Sequence, residues 1–523
     1  MTRKLRWVAS ALLVLLAASL LSVYSYGRFA ERARGPTTLS IPADGVETPL
    51  DRAIAPLTQA RPGQAGLSLI ADNLDAFTVR AVTARTAGRS LDLQYYIWKA
   101  DLTGNLIVHE VLRAADRGVR VRLLLDDLNS HAKDSVLAAL DRHPNIEVRM
   151  FNPSLSRESY FFRGIELLLR GFSLNRRMHN KAWIADGRVA VVGGRNIGDE
   201  YFGAAQSSNF LDADLAVVGP PVQETARIFD AFWNSRSAIP LSELVESDEL
   251  SLQRLRRVGA LEYRSEDAEP YGEQLARSPS VQALLRGSRA LRWTPDAHVY
   301  SDPPEKAEGA PRRDWLIDAL LPATTQAKRE LFISSPYFVP GDAGVAALLR
   351  LRDRGVHVSV LTNSLAATDV AAVHGGYAPY RVPLLEGGVE LYELMSRGPR
   401  GGKGGSGLLG SSSSEASLHT KAFMVDGDVG FVGSVNFDPR SINLNTEMGI
   451  LFTDPQLTDE LMRIYAWKVG EDSSYRLWLE NGKLRWEDGS AKPPRVWTRE
   501  PAASWSRRAM AEVVSWLPVE SQL

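Results

Sequence analysis

Apolar residues recur along the chain with two alternating spacings, one typical of strands and one typical of helices. Residues 91–98 form a short apolar run that predicts a strand, and residues 105–118 have helical spacing and end at Gly118. Residues 119–127 predict the next strand. A strand–helix–strand unit of this kind implies two parallel strands that are covered by the helix between them.

The same order of elements recurs in the second half of the chain. Residues 330–339 predict a strand, residues 343–355 a helix and residues 356–364 another strand. In both halves Arg-Gly-Val joins the helix to the second strand, at 117–119 and at 354–356. The two halves are therefore diverged copies of one unit, and we expect an α/β fold with two pseudo-symmetric lobes.

The N-terminus carries the longest apolar run. Residues 7–27 contain no charge and follow a basic segment at 2–6, and a helix of 21 residues can just cross about 30 Å of hydrocarbon. A cleaved signal peptide is the alternative, although no clear cleavage site follows the run. Basic residues flank both ends almost equally, and we expect the N-terminus inside and the body exported. The sequence thus predicts a single-pass N-terminal membrane anchor.

These patterns divide the chain into six segments. They are an anchor (1–35), a linker (36–67), a first lobe (68–220, motif 173–200), a helical connector (221–290), a second lobe (291–480, motif 413–440) and a C-terminal extension (481–523).

Composition narrows the possible functions. The chain is 44% apolar and 24% charged, which is ordinary for a protein with a large core. The formal net charge of −1 supplies no global positive field, so we expect no nucleic-acid partner. The absence of cysteine excludes disulfides, thiolate metal ligands and a cysteine nucleophile. No pattern in the sequence predicts an oligomeric state.

One motif occurs twice at identical spacing. Residues 178–196 read MHNKAWIADGRVAVVGGRN, and residues 418–436 read LHTKAFMVDGDVGFVGSVN. The matched pairs are His179 and His419, Lys181 and Lys421, Asp186 and Asp426, and Asn196 and Asn436. A single His-x-Lys carries little information, since another at 131–133 lacks the aspartate. The duplication therefore indicates function.

The spacing suits phosphate chemistry. In a strand, residues two apart share a face, so His and Lys of each copy point the same way. Lysine and the asparagine amide can hold phosphate oxygens, and the histidine can act on phosphorus or on its leaving group. Two copies supply the nucleophile and the proton donor that in-line phosphoryl transfer needs. Small residues at Gly194 and Ser434 allow a ligand or the other half to approach closely.

The two aspartates have a second interpretation. Asp186 and Asp426 each precede glycine, and Asp-Gly is a favoured tight turn in a β-hairpin. Turn formation and a role in the active site explain these two aspartates equally well.

The doubled motif resembles that of the phospholipase D superfamily. Further segments resemble bacterial cardiolipin synthases, especially their C-type branch. These segments are VVGGRNIGDEYF (191–202), SSPYFVPG (334–341), GGYAPYRVPLLEGGVELYEL (375–394) and FVGSVNFDPRSINLNTEMGILF (431–452). The resemblance covers roughly residues 65–480.

The resemblance implies two α/β/α lobes that share one active site without a metal or another cofactor. It also implies transfer of a phosphatidyl group through a phospho-histidine, with His179 as nucleophile and His419 as general acid and base. Glu447 stands where the family carries an acidic residue near the site, and Asp214 is its expected counterpart in the first half.

Two segments that lead into the motifs differ in composition. Residues 397–417 are rich in Gly and Ser and indicate either a mobile flap or a plain insertion. Residues 157–178 combine apolar and basic side chains, which is typical of a helix at a membrane interface but also of an ordinary packed helix.

Three functions remain open from the sequence. The first is transfer of a phosphatidyl group between phospholipids of a bacterial inner membrane, with phosphatidylglycerol as substrate, phosphatidylethanolamine as a second candidate substrate and cardiolipin as product. The second is hydrolysis by a phospholipase D or a nuclease, although the neutral charge and the anchor disfavour a nuclease. The third is a non-catalytic membrane protein, which two intact motifs disfavour.

Overall fold

The computed structural model describes residues 3–45, 47–128, 134–157, 159–245, 249–278, 290–396, 415–517 and 520–522. The His-x-Lys at 131–133 and residues 397–414 of the Gly/Ser-rich segment lie outside these ranges.

The helices and strands are numbered in chain order. The helices are α1 Arg3–Arg32, α2 Pro49–Gln59, α3 Asn73–Thr86, α4 Leu102–Asp116, α5 Asp134–Asp141, α6 Tyr160–Leu174, α7 Asp199–Phe202, α8 Pro220–Trp233, α9 Glu249–Glu262, α10 Glu269–Arg277, α11 Leu316–Thr325, α12 Gly341–Asp353, α13 Ala371–Tyr377, α14 Arg381–Glu386, α15 Pro439–Asn443, α16 Pro455–Lys468 and α17 Trp505–Ser515. The strands are β1 Ala65–Ile70, β2 Ser90–Tyr95, β3 Arg120–Asp126, β4 Ile146–Phe151, β5 Ala182–Ala185, β6 Val189–Gly193, β7 Ser208–Leu211, β8 Asp214–Val218, β9 Ala238–Pro240, β10 Arg292–Thr294, β11 Ala297–Ser301, β12 Glu330–Ser334, β13 His357–Asn363, β14 Glu390–Leu394, β15 Glu415–Leu418, β16 Lys421–Val425, β17 Val429–Gly433, β18 Met448–Thr453, β19 Ser474–Glu480, β20 Lys483–Asp488 and β21 Arg495–Trp497.

Two large mixed sheets repeat one strand order. The first runs β10-β1-β8-β6-β5-β2-β3-β4-β9, and the second runs β11-β18-β17-β16-β12-β13-β14-β19-β20-β21. The parallel pairs β2–β3 and β12–β13 confirm the two predicted strand–helix–strand units. Strand β12 ends at Ser334, earlier than predicted, and Pro336 just beyond it has no N–H group for a ladder bond.

Each sheet is covered by helices on both faces, as the α/β/α prediction requires. In the first lobe, apolar residues of α3 and α4 pack on one face, and Phe229 and Phe232 of α8 pack on the other. In the second lobe, Leu348 of α12 and Leu457 of α16 lie on opposite faces. Residues of α8 and α16 belong to one apolar cluster that draws on both sheets, so the lobes share part of their core.

Segments outside the two motif lobes are integrated into the fold. Thr38 and Ser40 of the predicted linker bond to Asn234 and Asp230, at the end of helix α8, which packs on the first sheet. Strand β9, within the predicted connector, pairs with β4, and β20 and β21, within the predicted C-terminal extension, continue the second sheet.

The lobes are joined directly beside the two motifs. Strand β15, which leads into the second motif, pairs in parallel with β7 of the first lobe. On the other side, Met178 forms an isolated bridge with Thr446 of the second lobe. These backbone bonds bring residues that are more than 200 positions apart in sequence into register.

Helix α1 has the length and composition of a membrane span. The helix runs for 29 residues from Lys4 to Arg32, and an 18-residue apolar window within it has a mean hydropathy of 2.1 and is not buried within the protein. An apolar helix of this length is stable in hydrocarbon, because its backbone N–H and C=O groups bond to each other within the helix.

Candidate active site

Each motif forms a β-hairpin whose open end carries the histidine and the lysine. In the first, β5 pairs with β6, and Asp186-Gly187 closes the turn with positive φ at both residues. In the second, β16 pairs with β17, and Lys421 lies opposite Gly433 at the open end. The histidines therefore lie at the opposite end of each hairpin from the aspartates.

The structure does not bring the two aspartates to the histidines. The buried Asp186 carboxylate accepts hydrogen bonds from the backbone N–H groups of residues 88–90. Asp426 accepts the equivalent bonds from residues 328–330. Seven residues separate His179 from Asp186, or about 20 Å along an extended strand. These contacts tie each turn to the chain that enters the neighbouring strand.

His179 of the first lobe is bonded to a carboxylate of the second lobe. Its Nδ1 lies 2.7 Å from Oε2 of Glu447, and its backbone N–H donates to the carbonyl of Thr446 at 2.8 Å. When Glu447 is ionised, its carboxylate accepts from Nδ1–H, and the Nε2 lone pair is then free to act as a nucleophile or base. Glu447 thus joins the site as the resemblance implies.

His419 of the second lobe makes the reciprocal contact with the first lobe. Its Nδ1 lies 2.5 Å from Oδ2 of Asp212, and its backbone N–H donates to the carbonyl of Leu211 at 2.9 Å. Each histidine is therefore oriented by a carboxylate of the other lobe, and the two motifs form one site.

Asp212, rather than Asp214, is the counterpart of Glu447. The carbonyl of Ala213 accepts from Gly194, as that of Met448 accepts from Ser434, so the residues before them occupy equivalent positions. The expectation for Asp214 is corrected because that side chain is buried in an ion pair with Arg80, with 2.9 Å between nitrogen and oxygen. The pairing of β6 with β8, which places Asp214 opposite Gly193, shows this correspondence and could not be read from the sequence.

Gly194 and Ser434 serve the two carboxylates in different ways. A Cβ at Gly194 would lie 2.5 Å from Oδ1 of Asp212, so only glycine leaves room for that carboxylate. The Ser434 hydroxyl instead donates to Oε2 of Glu447 at 2.5 Å and accepts from the backbone N–H of Met448. Gly194 thus makes room for the carboxylate of Asp212, and Ser434 holds that of Glu447 by a hydrogen bond.

Both motif lysines are buried and donate to neutral partners. Lys181 Nζ donates to the carbonyl of His179 at 2.7 Å, and Lys421 Nζ donates to that of His419 at 2.6 Å. Burial lowers the pKa of Lys181 well below its usual range and that of Lys421 to about 8. A phosphate anion beside these ammonium groups would favour their charged form.

The two histidine–carboxylate pairs differ in their electrostatics. Burial, followed by the charges of Lys181 and Lys421, lowers the pKa of His179 well below its usual range. Burial and Lys421 also lower the pKa of His419, but Asp212 opposes this shift. Burial raises the pKa of Glu447 to about 7, whereas His419 and Lys421 overcome burial and hold the pKa of Asp212 at about 2. His419 therefore has the more firmly ionised partner.

The two motif asparagines also differ. Asn196 is bonded on both sides, since its Oδ1 accepts from the N–H of Ile97 and its Nδ2 donates to the hydroxyl of Tyr201. Within the described residues, the buried Oδ1 of Asn436 has no hydrogen-bond partner. Asn436 is therefore the asparagine whose polar group remains available to a substrate.

Aromatic rings that the sequence did not single out enclose the histidines. Tyr96 contacts the ring of His179 edge-on, with centroids 5.0 Å apart. Tyr201 and Phe210 contact His419 at 5.2 and 4.7 Å. These rings restrict the orientation of each imidazole.

One cluster elsewhere has the residue types of a metal site. His374, Glu393 and Glu500 offer donor atoms within 4.8 Å of one another in the second lobe. Arg381 donates to both carboxylates, at 3.2 and 2.7 Å, and already supplies the positive charge there. The arrangement fits a buried ion-pair network.

Comparisons with known proteins agree with this geometry. A sequence model of the family described as cardiolipin synthase, PLD-like domain, matches residues 83–233 and 320–468, which contain one motif each. The chain is 41% identical over 474 residues to cardiolipin synthase C of Escherichia coli (strain K12), covering 90% of this chain and 99% of that protein. It is 30% identical over 448 residues to an uncharacterized protein of Helicobacter pylori, covering 85% of this chain and 87% of that protein.

The fold is also similar to a solved structure. The crystal structure of phosphatidylserine synthase from Haemophilus influenzae aligns with a TM-score of 0.55 at 13% identity, covering 91% of this chain and 100% of that chain. At this identity the likeness extends to the two-lobed fold.

Proposed function

This chain belongs to the cardiolipin synthase family of phospholipase D-like proteins, and from that premise we propose that it transfers a phosphatidyl group between membrane phospholipids to make cardiolipin. The observation that carries the proposal is the pair of histidines bonded across the lobe boundary, to Glu447 and to Asp212. Two oriented imidazoles in one buried site are what a two-step displacement at phosphorus requires.

In the first step, His179 acts as the nucleophile. Its Nε2 attacks the phosphorus of phosphatidylglycerol, and the bond from phosphorus to the glycerol headgroup oxygen breaks. The phosphatidyl group is then held on His179, and His419 gives its proton to the departing glycerol. The assignment is supported by the stronger lowering of the pKa of His179, since a nucleophile must be unprotonated.

In the second step, His419 acts as the base. It takes the proton from a hydroxyl of a second phosphatidylglycerol, whose oxygen attacks the phosphorus while the bond from phosphorus to Nε2 breaks. The products are cardiolipin and glycerol, and both histidines return to their starting state. The ionised Asp212 supports this role because it stabilises the charged imidazole.

The other motif residues divide between binding and support. We assign Lys181 and Lys421 to the phosphate oxygens, because they are buried beside the histidines and donate to neutral carbonyls. We assign Asn436 to a hydroxyl group of the substrate, because its buried Oδ1 is an acceptor without a partner among the described residues. We assign Asp186 and Asp426 to the hairpin turns, because their carboxylates bond backbone N–H groups at the far end of each hairpin.

Phosphatidylglycerol is the proposed donor and acceptor, and phosphatidylethanolamine is an alternative donor that would release ethanolamine. Water in place of the second lipid would make the enzyme a phospholipase D that forms phosphatidate. The family membership and the apolar helix α1, which keeps the site near the membrane, both favour a lipid acceptor.

The test is a product analysis with the full-length protein in vesicles. Purified protein is incubated with phosphatidylglycerol, with and without phosphatidylethanolamine, and the lipids are separated and identified by mass spectrometry. We expect cardiolipin and glycerol from the wild type and none from the His419→Ala variant. Phosphatidate alone would establish a hydrolase, and no product under either condition would overturn the proposal.

We further propose that the N-terminus lies inside and that the catalytic body lies on the exported face of the inner membrane. The amino group and three basic residues precede the apolar run, whereas three basic residues and Glu31 follow it. A cysteine introduced at exposed Leu261 reports the side, since the chain has no other cysteine. Reaction with an impermeant maleimide in right-side-out but not inside-out vesicles is expected, and the reverse result would overturn this orientation.

A further inference from the structure

Helix α6 presents a stripe of large apolar side chains to the outside of the protein. Phe161, Ile165, Leu168 and Phe172 follow one another at helical spacing and are 71%, 38%, 67% and 90% exposed. Water would contact this whole stripe in an aqueous setting, at a cost that grows with the apolar area.

The face that α6 turns toward the protein is charged. Glu166 is buried and accepts from the hydroxyl of Ser154 and the backbone N–H of Ser156. Arg170, one turn further, is also buried and pairs with Glu166. Polar groups inside and apolar groups outside reverse the pattern of a helix that packs against a water-soluble core.

Helix α6 packs along the candidate membrane span. The hydroxyl of Ser19 in α1 donates to the carbonyl of Leu169 at 2.5 Å. The guanidinium of Arg170 lies over the ring of Tyr26, with 3.4 Å from carbon to ring centroid. The exposed stripe of α6 is thus continuous with the exposed apolar surface of α1, where Leu20 is 64% exposed.

The contact at Ser19 sets the depth of α6. Ser19 lies eight residues before Gly27, the last uncharged residue of the apolar run, which is about 12 Å at 1.5 Å per residue. One leaflet of a bilayer contributes about 15 Å of hydrocarbon. When α1 spans the membrane, the Leu169 segment of α6 is therefore within the leaflet on the body's side.

We propose that α6 is a second membrane-inserted element, which lies in the leaflet beside α1 and has phospholipid acyl chains as its outer partner. A single span leaves a protein free to tilt and rotate about one axis, and a second inserted helix removes that freedom. The five residues from Leu174 to His179 span at most about 18 Å. The inserted helix therefore holds His179 close to the leaflet from which a lipid substrate enters.

Site-directed spin labelling of the full-length protein tests this insertion. The chain has no cysteine, so Leu168→Cys and Phe172→Cys each give one labelled position. Both positions are exposed, and far-UV circular dichroism confirms that each labelled protein is folded. The protein is reconstituted in vesicles of phosphatidylglycerol and phosphatidylethanolamine, and the nitroxide is exposed to oxygen, which concentrates in hydrocarbon, or to a neutral nickel chelate, which stays in water.

Two control positions bracket the result. Leu12→Cys, within the uncharged apolar run of α1, reports hydrocarbon, and Leu261→Cys on α9, where Leu261 is 58% exposed, reports water. We expect positions 168 and 172 to be open to oxygen and protected from nickel, as at Leu12. If the nickel chelate reaches positions 168 and 172 as readily as position 261, α6 faces water and the proposal is wrong. Protection from both reagents would overturn it in favour of a protein partner, such as a second copy of this chain.

This measurement does not depend on the reaction that the enzyme catalyses. The label reports only its surroundings. Helix α6 can therefore be found in hydrocarbon even if the enzyme makes phosphatidate, and it can be found in water even if the enzyme makes cardiolipin. The two proposals therefore fail separately.

Discussion

Nδ1 of His179 lies 2.7 Å from Oε2 of Glu447, a residue 268 positions later in the chain and in the other lobe. The reciprocal bond joins His419 to Asp212 over 207 positions. Neither lobe alone therefore contains the carboxylate that orients its own motif histidine. The duplication supplies each copy with the acid that the other copy's imidazole requires.

A stalled intermediate should distinguish the two histidines. With phosphatidyl-p-nitrophenol, whose leaving group needs no added proton, we expect His419→Ala to release one equivalent of nitrophenol and then stop, because the base for the second step is missing. The phosphatidyl group should remain on the peptide that contains His179. Rapid-mixing absorbance and mass spectrometry after an alkaline quench measure both quantities.

The matched variant for this experiment is His179→Ala. It should show no burst and no labelled peptide, and turnover of phosphatidylglycerol should fall by roughly 10³-fold or more in either variant. A burst from His179→Ala with the label on His419 would reverse the assigned roles.

Replacement of Glu447 by glutamine should reduce turnover while the fold is retained. The amide keeps the shape of the side chain but offers no negative charge to Nδ1–H, and we expect kcat to fall roughly 10²- to 10⁴-fold. Ser434→Ala removes only the hydroxyl that holds Oε2, so its effect should be smaller. Steady-state kinetics in vesicles check this order, which a larger loss in Ser434→Ala would contradict.

Gly194→Ala should inactivate the enzyme by displacing Asp212. The added Cβ would lie 2.5 Å from Oδ1 of that carboxylate, so the bond to His419 cannot keep its geometry. Gly171→Ala is the matched control, because a Cβ there has no neighbour within 4 Å and alanine favours the helix. We expect turnover to be lost only in the first variant, and equal activity in both would contradict this role of Gly194.

Asp186→Ala should affect stability more than catalysis. The change removes the acceptor for the backbone N–H groups of residues 88–90 and leaves alanine at positive φ. We expect the free energy of unfolding to fall by about 1–3 kcal/mol, with kcat per folded molecule close to wild type. Denaturant titration and active-site counting separate the two effects. A loss of kcat as large as that in His179→Ala would instead place Asp186 in the chemistry.

The stability of the wild type should fall relative to Glu447→Gln as pH rises from about 4.5 to 7. Burial raises the pKa of Glu447 from 4.5 to about 7, so the folded protein holds this proton over a range in which the unfolded chain releases it. The stabilisation is present below pH 4.5 and is lost as pH rises through 7, amounting to about 3 kcal/mol. Thermal unfolding midpoints of both proteins in detergent measure the difference, and parallel pH profiles would contradict the expected shift.

Local patterns were enough to predict the two lobes. Strand and helix periodicities depend on neighbours in the chain, and the predicted parallel pairs β2–β3 and β12–β13 are both present. The doubled motif was visible for the same reason, since His179 and Lys181 belong to one strand face.

Residues 157–178 show where local patterns were insufficient. The sequence allowed either a packed helix or a helix at a membrane interface. In the structure α6 packs through Glu166 and Arg170 on one face and exposes Phe161 and Phe172 on the opposite face. Only the positions of the neighbouring segments determine which face is buried.

Composition and short spacings were enough to predict the α/β class, the duplication, the apolar N-terminal helix and the two motif histidines. The packing of the two lobes establishes that Asp212 rather than Asp214 orients His419, that Asp186 holds a turn, and that each motif histidine has its partner in the other lobe. Those relationships join residues that are 96 to 268 positions apart in the sequence. They depend on how two sheets pack and on the burial that shifts each pKa, which no local pattern records.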